Sequence, residues 1–150
     1  LVPVLQKLES IYPHFRLVVI ANKKPSLALQ SLTFLPWSKD HEMEDLLQLD
    51  IGIMPLSDDI WSHGKCGFKA LQYMALGIPA VASPVGVNTE IIEHDVNGFL
   101  CTTEEEWFTC LKSLIDRPAL RQQIGRRGRE KVIDHYSVLS NTSTFLSLFV

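Results

Sequence analysis

Two lysines and a glutamine, Lys65, Lys69 and Gln72, stand at offsets of four and three in the stretch "WSHGKCGFKALQYMALGIPAVASP" (61–84). On a helix such offsets share one face. Gly64 and Gly67 sit among them, and glycine lets a ligand come close to the backbone. The first turn of a helix carries unpaired N–H groups and about half a unit of positive charge. Together these features compose a cradle for phosphate, with Gly64, Lys65, Cys66, Gly67 and Lys69 around the anion. An exposed helix dipole contributes only about 0.3–1 kcal/mol, so the lysines would supply much of the binding. The competing reading is a solvated face that happens to carry two lysines. Phe68, Leu71 and Ala75 fall on another face and are expected to pack on a sheet.

Hydrophobic periodicity predicts the elements that must position this cradle. Leu1, Leu5, Leu8 and Ile11 share one helical face. Five short apolar runs read as buried strands: "FRLVVIA" (15–21), "LTFLPW" (32–37, stopped by Pro36), "DIGIMPL" (50–56), "PAVAS" (79–83) and "GFLCT" (98–102). Helices are predicted from a cap at Ser38 or Asp40 to Leu49, and from Gly67 to Leu76 with Gly77 as C-terminal cap. Three more run from Thr102 or Thr103 to Ile115, from Pro118 to His135, and from a Ser137 cap to Val150. Segments 57–65 and 84–98 read as loops, the second with room for one helical turn.

Apolar strands alternating with helices predict an α/β fold in one domain, a doubly wound, mostly parallel sheet covered on both faces. Ligands of such sheets sit beyond the carboxyl ends of the strands. That rule selects the loops after Ala21, Pro36, Leu56 and Ser83, and with them the cradle.

The 150 residues suit one domain, and 46% hydrophobic with 21% charged content supports a core and argues against disorder. A formal net charge of −3 exerts no general pull on nucleic acid. Apolar runs such as "LVVIA" fall far short of the ~20 residues a membrane-spanning helix needs. Cys66, Cys101 and Cys110 suit a reduced, cytoplasmic setting better than a disulfide scaffold, and no Cys/His spacing matches a zinc site. No Met precedes Leu1, and "LVPVLQKLESIY" reads as the middle of an amphipathic helix, so a piece of a longer protein is expected.

The segment from Lys65 to Leu100 resembles the donor-binding motif of the retaining, family-4 glycosyltransferases of GT-B fold. The pieces that carry the resemblance are "QYMA" (72–75), "GIPAVAS" (77–83), "GVNTE" (86–90) and "NGFL" (97–100), in the family's order. "DIGIMPL" is similar to the strand before that motif, and "DRPALRQQIGRRGREKVIDHYS" (116–137) to the family's penultimate helix. The resemblance implies a Rossmann-like half of a GT-B fold. Residues 1–150 would be the C-terminal, nucleotide-sugar-binding domain, without that half's first strand and glycine-rich loop and without the N-terminal acceptor domain. It implies transfer of a hexose-type sugar from a nucleoside-diphosphate sugar to a glycan or lipid-linked acceptor in polysaccharide biosynthesis. The family needs no metal or other cofactor; cationic side chains and helix amides would neutralise the leaving diphosphate. The setting implied is the cytoplasm or the inner face of the membrane. A fragment without the acceptor half is expected to bind nucleotide weakly and to transfer nothing.

By the same resemblance Lys65 and Lys69 hold the diphosphate, fitting a "K-x-x-x-K-x-x-E-Y" variant of the motif. Gln72 stands where a glutamate usually accepts hydrogen bonds from the ribose hydroxyls, and Gly64 where an earlier glutamate usually meets the donor sugar. Gln72 can accept through its carbonyl but carries no charge. Glycine offers no side chain, so the sugar contact and the catalytic residues stay unassigned. Gly86 and Glu90 belong to the donor loop, where Glu90 either orients the donor or caps a short helix. The departures leave two alternatives: a degenerate nucleotide-sugar-binding module without catalysis, and a GT-B sugar-nucleotide epimerase or hydrolase.

Other residues carry two readings each. Trp37, at a strand end, either edges a nucleobase site or belongs to the core. Asp58 or Asp59 either bonds a hydroxyl or pairs with Lys65. Cys66 lies near a helix start and a lysine but lacks the partnered His–Asp set of a nucleophile. From Lys112 to Lys131 seven basic residues face only Asp116 and Glu130, a surface for anionic lipid or for solvent. "GRRGRE" lacks the spacing of a nucleotide loop.

Overall fold

A computed structural model describes residues 1–149. In chain order it runs α1 (Val2–Ile11), β1 (Leu17–Ala21), β2 (Leu32–Pro36), α2 (Glu42–Leu46), β3 (Gly52–Met54), α3 (Ile60–His63) and α4 (Phe68–Ala75). There follow β4 (Ala80–Ala82), α5 (Asn88–Ile91), β5 (Phe99–Leu100), α6 (Glu104–Asp116), α7 (Pro118–His135) and α8 (Val138–Leu146), with a 3-10 turn at Ser147–Phe149. All five predicted strands form, each shortened to the residues that meet a partner backbone, and their ladders are parallel.

The layers are easiest to follow from β4, because alternate residues of a strand face opposite sides. Val81 belongs to one buried cluster with Leu5 and Leu8 of α1 and with Trp107, Leu111 and Leu114 of α6. Ala80 and Ala82 turn the other way, to Ala70 and Met74 of α4 and to Ile91 and Ile92. Helices therefore cover both faces, which is the doubly wound α/β arrangement expected.

The expected single sheet is divided. β1 pairs with β2, and β3, β4 and β5 form a second ladder, with no strand pairing between the two among the described residues. A cavity of about 580 Å³ lies at the division. Leu17 and Val18 of β1 line it, as do Ile51, Ile53, Tyr73 and Leu111.

Helix boundaries follow local chemistry. Thr103 and Glu106 form a reciprocal capping box at the start of α6, and Ser137 and Ser140 one at the start of α8. Pro118 opens α7, and Gly77 ends α4 with a φ of 73°. Helix α2 is only five residues long. The Ser38 hydroxyl accepts from the Asp40 N–H at 3.3 Å, closing a turn ahead of α2 and capping nothing. Segment 57–65 is not wholly loop, since Asp59 caps the short α3. Helix α8 stops at Leu146, and its predicted end, Val150, lies outside the described residues.

Helix α7 seats directly against the end of α4. A β-carbon on Gly125 would collide with the carbonyl of Gly77, and one on Gly128 would meet the Asn97 carbonyl oxygen at 3.1 Å. Arg129 Nη1 donates to the Ala75 carbonyl at 2.9 Å. The glycines of "GRRGRE" thus serve close helix packing. Among the described residues no helix is long and apolar enough to cross a membrane.

Candidate functional site

Gly67 has a φ of 66°, and a β-carbon there would run into the Ile91 side chain. Only glycine turns the chain into α4 this close to α5. Gly86 has a φ of 56°, and a β-carbon on it would stand 3.0 Å from the His63 carbonyl oxygen. The loops after β3 and β4 are locked together by this approach. Among the described residues no side chain caps α4, which leaves its first-turn amides without a side-chain partner.

The proposed sharing of one helical face by Lys65, Lys69 and Gln72 does not occur. Gly67 interrupts the helix, and Lys65 lies before it with its N–H donating to the Ser62 carbonyl at 3.2 Å. Gly64 has an ordinary φ of −77°, and the nearest atom to an added β-carbon would be 3.5 Å away, so no tight approach demands glycine there. The buried face of α4 is Ala70 and Met74; Phe68, expected on the sheet, is 58% exposed. An i, i+4 pair of small and flexible residues fits under the helix where a phenyl ring would not.

Three of the singled-out residues instead converge on a carboxylate that sequence reasoning missed. Glu42 Oε1 accepts from Trp37 Nε1 at 3.2 Å and from Lys69 Nζ at 3.1 Å. The indole, then the ammonium, then the Gln72 amide hold the Glu42 carboxyl below its usual range. Gln72 Oε1 is meanwhile buried without a hydrogen-bond partner among the described residues. Glu42 escaped notice because an acidic residue in the first turn of a helix reads as a complement to the dipole. Nothing in the local pattern marks its reach to Lys69, which is 27 residues away.

Lys69 is therefore already paired, whereas the sequence suggested a cation open to an anion. The side chains of Lys69 and Glu42 are 45% and 22% exposed. A pair this wet contributes about 0–1 kcal/mol, so an arriving dianion can compete for the ammonium. Lys65 makes no ion pair among the described residues. Asp58 bonds His63 Nε2 at 2.6 Å and Asp59 accepts from the Ser62 N–H at 2.7 Å, so neither pairs with Lys65. That Ser62 N–H is the main reason the Asp59 carboxyl titrates low, with the charge of Lys65 a lesser one.

Trp37 is 43% exposed and does not belong to the core. Glu90 is exposed, and among the described residues no side chain caps α5, so the capping alternative for Glu90 is not realised. Cys66 is exposed. Beyond the carboxyl ends of β3, β4 and β5, residues Pro55, Leu56, Ser57, Ser83 and Thr102 line a second cavity of about 270 Å³. The basic surface of 112–131 is largely committed: Lys112 to Asp116, Arg126 to Glu130, Arg121 to Asp50 and Arg129 to the Ala75 carbonyl. Among the described residues no three His, Cys, Asp or Glu side chains gather as a metal site would require.

Residues 1–117 match the family described as Glycosyl transferases group 1. Over 77 residues the chain is 31% identical to the human alpha-1,3/1,6-mannosyltransferase ALG2, a stretch that is 51% of this chain and 18% of that protein. The match thus spans less than a fifth of that relative's length. The C-terminal domain of LpcC, a glycosyl transferase group 1 family protein from Francisella tularensis, superposes with a TM-score of 0.59 at 27% identity, over 73% of this chain and 55% of that one. Sucrose-phosphate synthase from Thermosynechococcus elongatus gives a TM-score of 0.80 at 17% identity, over 99% of this chain and 41% of that one. Anabaena Alr3699/HepE, solved in complex with UDP and glucose, gives 0.75 at 17% identity, over 98% of this chain and 44% of that one. At that identity the last two share the fold.

Proposed function

The chain belongs to the Glycosyl transferases group 1 family, and on that premise we propose that it is the nucleotide-sugar-binding half of a retaining, hexose-transferring glycosyltransferase. The observation that carries this reading is the convergence of Trp37, Lys69 and Gln72 on Glu42, beside the uncapped first turn of α4. All three follow the carboxyl ends of parallel strands, where ligands of such folds bind. Lys65, Lys69 and the amides of Cys66, Gly67 and the first turn would hold the diphosphate, with Gly64 and the Gly86–Glu90 loop flanking it. Trp37 would border the base, and Gln72 would lie toward the ribose. Developing charge on the leaving diphosphate would be met by ammonium groups and amides, with no metal called for. The mannosyl transfer named for ALG2 and the UDP and glucose bound to HepE support a sugar-nucleotide donor.

The divided sheet supports the place of this chain in a larger molecule. A doubly wound sheet runs in the order 3-2-1-4-5-6. With β1 and β2 in places two and three, and β3 to β5 in places four to six, the 580 Å³ cavity falls where strand one belongs. We assign that strand, its glycine-rich loop and an acceptor-binding domain to chain preceding Leu1. The acceptor would be a glycan or lipid-linked sugar of a growing polysaccharide. The three unbridged cysteines suit a cytoplasmic setting, peripheral to the membrane at most.

Calorimetry of the protein at its natural length with UDP, GDP and ADP tests the reading, repeated with EDTA present. Binding of none of the three removes it, and binding that vanishes with EDTA removes its metal-independent form. Gly64 presents no side chain to a sugar, which favours a second reading, a binding module without catalysis. Absence of turnover with a labelled sugar nucleotide that nevertheless binds would select that second reading.

A further inference from the structure

We propose that Glu42 is the ribose-binding residue of this site, accepting hydrogen bonds from the vicinal hydroxyls of the nucleotide; the proposal rests on the nucleotide-sugar reading above. In a nucleoside diphosphate the ribose is the unit between the base and the phosphates. Glu42 occupies the corresponding place here, with an indole at 3.2 Å on one side and an ammonium at 3.1 Å on the other. Trp37 presents an exposed aromatic body suited to a base, and Lys69 a cation suited to phosphate.

An ionised carboxylate offers about four acceptor positions on two oxygens and donates nothing. Both recorded bonds fall on Oε1, which leaves acceptor positions on Oε2. Two hydroxyls on adjacent carbons are the donors such an oxygen pair fits. The carboxylate is also pre-set. Its two partners come from the loop after β2 and from α4, so its orientation is fixed by two separate elements. Gln72, the uncharged residue of the motif, lies against the same carboxylate and contributes to holding it ionised. The charge missing from position 72 is present in the same corner, supplied from 30 residues upstream by α2.

The bland role for Glu42 is that of a clamp that orders Trp37 and Lys69. A clamp would affect ribo- and deoxyribonucleotides alike, and this separates the two. The experiment measures, by calorimetry on the protein at natural length, the affinities of UDP and GDP and of their 2′-deoxy counterparts for wild type, Glu42→Gln and Glu42→Asp. Melting curves verify that each variant folds, and Glu42→Asp keeps the charge if Glu42→Gln does not fold. Wild type is expected to prefer the ribonucleotide by about tenfold. Glu42→Gln should lose most of that preference, weakening the ribonucleotide about tenfold and the 2′-deoxy form, which keeps only its 3′-hydroxyl, distinctly less. Glu42→Asp should fall between. Equal weakening of both forms, or a gain for both, overturns the ribose assignment while the nucleotide site stands. Failure of wild type to bind any of the four overturns both.

Discussion

The backbone of Gly125 rests against the carbonyl of Gly77, with no room between α7 and the end of α4 for a β-carbon. The helix that carries Lys69 and Gln72 is therefore held from behind by a helix far along the chain. Gly125→Ala should destabilise the fold by about 1–3 kcal/mol, since the obstacle is backbone and cannot rotate away. Chemical denaturation reads this as a lower midpoint at an unchanged slope. A midpoint equal to wild type would mean that α7 does not bear on α4.

Lys65 and Lys69 should differ as binding residues although both are cations. Lys65→Ala removes an exposed charge and should weaken nucleoside diphosphate about two- to fivefold. Lys69→Ala also leaves Glu42 uncompensated beside the ligand, so a loss of about tenfold or more is expected. Calorimetry at two salt concentrations checks both values. A larger loss for Lys65→Ala would show that the Glu42 pair has no bearing on the anion.

The acid stability of α6 should depend on Glu106. Its carboxylate accepts from the backbone N–H groups of Thr103 at 3.0 Å and Thr102 at 2.6 Å, and these bonds lower its titration. A lowered carboxyl contributes stability above its unfolded pKa, and that contribution is lost as the pH falls through the folded one. Glu106→Gln should be less stable than wild type near neutrality. The two denaturation curves should converge as the pH drops below the ordinary glutamate range. A constant gap down to the lowest accessible pH would exclude this linkage.

Thiol reactivity gives an independent view of the cradle. Cys66 is exposed and Cys101 is buried. Contact with the Cys110 thiol, and then burial, pushes the Cys101 thiol up, while the same contact brings Cys110 down. A maleimide should label Cys66 first and Cys101 last, and saturating nucleoside diphosphate should slow Cys66. Mass spectrometry of digests assigns the sites; Cys66 labelling indifferent to nucleotide would place the ligand elsewhere.

Much of the fold was legible because burial and period speak locally. "LVVIA" and "PAVAS" could hardly be anything but strands, although only the second is buried throughout, and Thr103 with Glu106 or Ser137 announces a helix start through side-chain reach alone. Helix α3 was missed because Ile60 and Trp61 are both exposed, so its four residues show no amphipathic pattern; Asp59 was the only local signal. The placement of Lys65 outside α4 turned on Gly67, whose left-handed backbone answers to Ile91, a residue 24 positions later. Glu42 was invisible for the same reason. Its meaning lies in which side chains three separate segments bring to one point, and no window of sequence contains that.

The slot between β1 and β3 has a practical bearing on how the molecule behaves. Each of those strands has one side hydrogen-bonded to a neighbour and the other turned toward a greasy opening. Such rims seek any extended peptide that will complete them. Residues 1–150 in isolation should be sticky, prone to trade strands between copies, and grateful for a short apolar peptide supplied in solution.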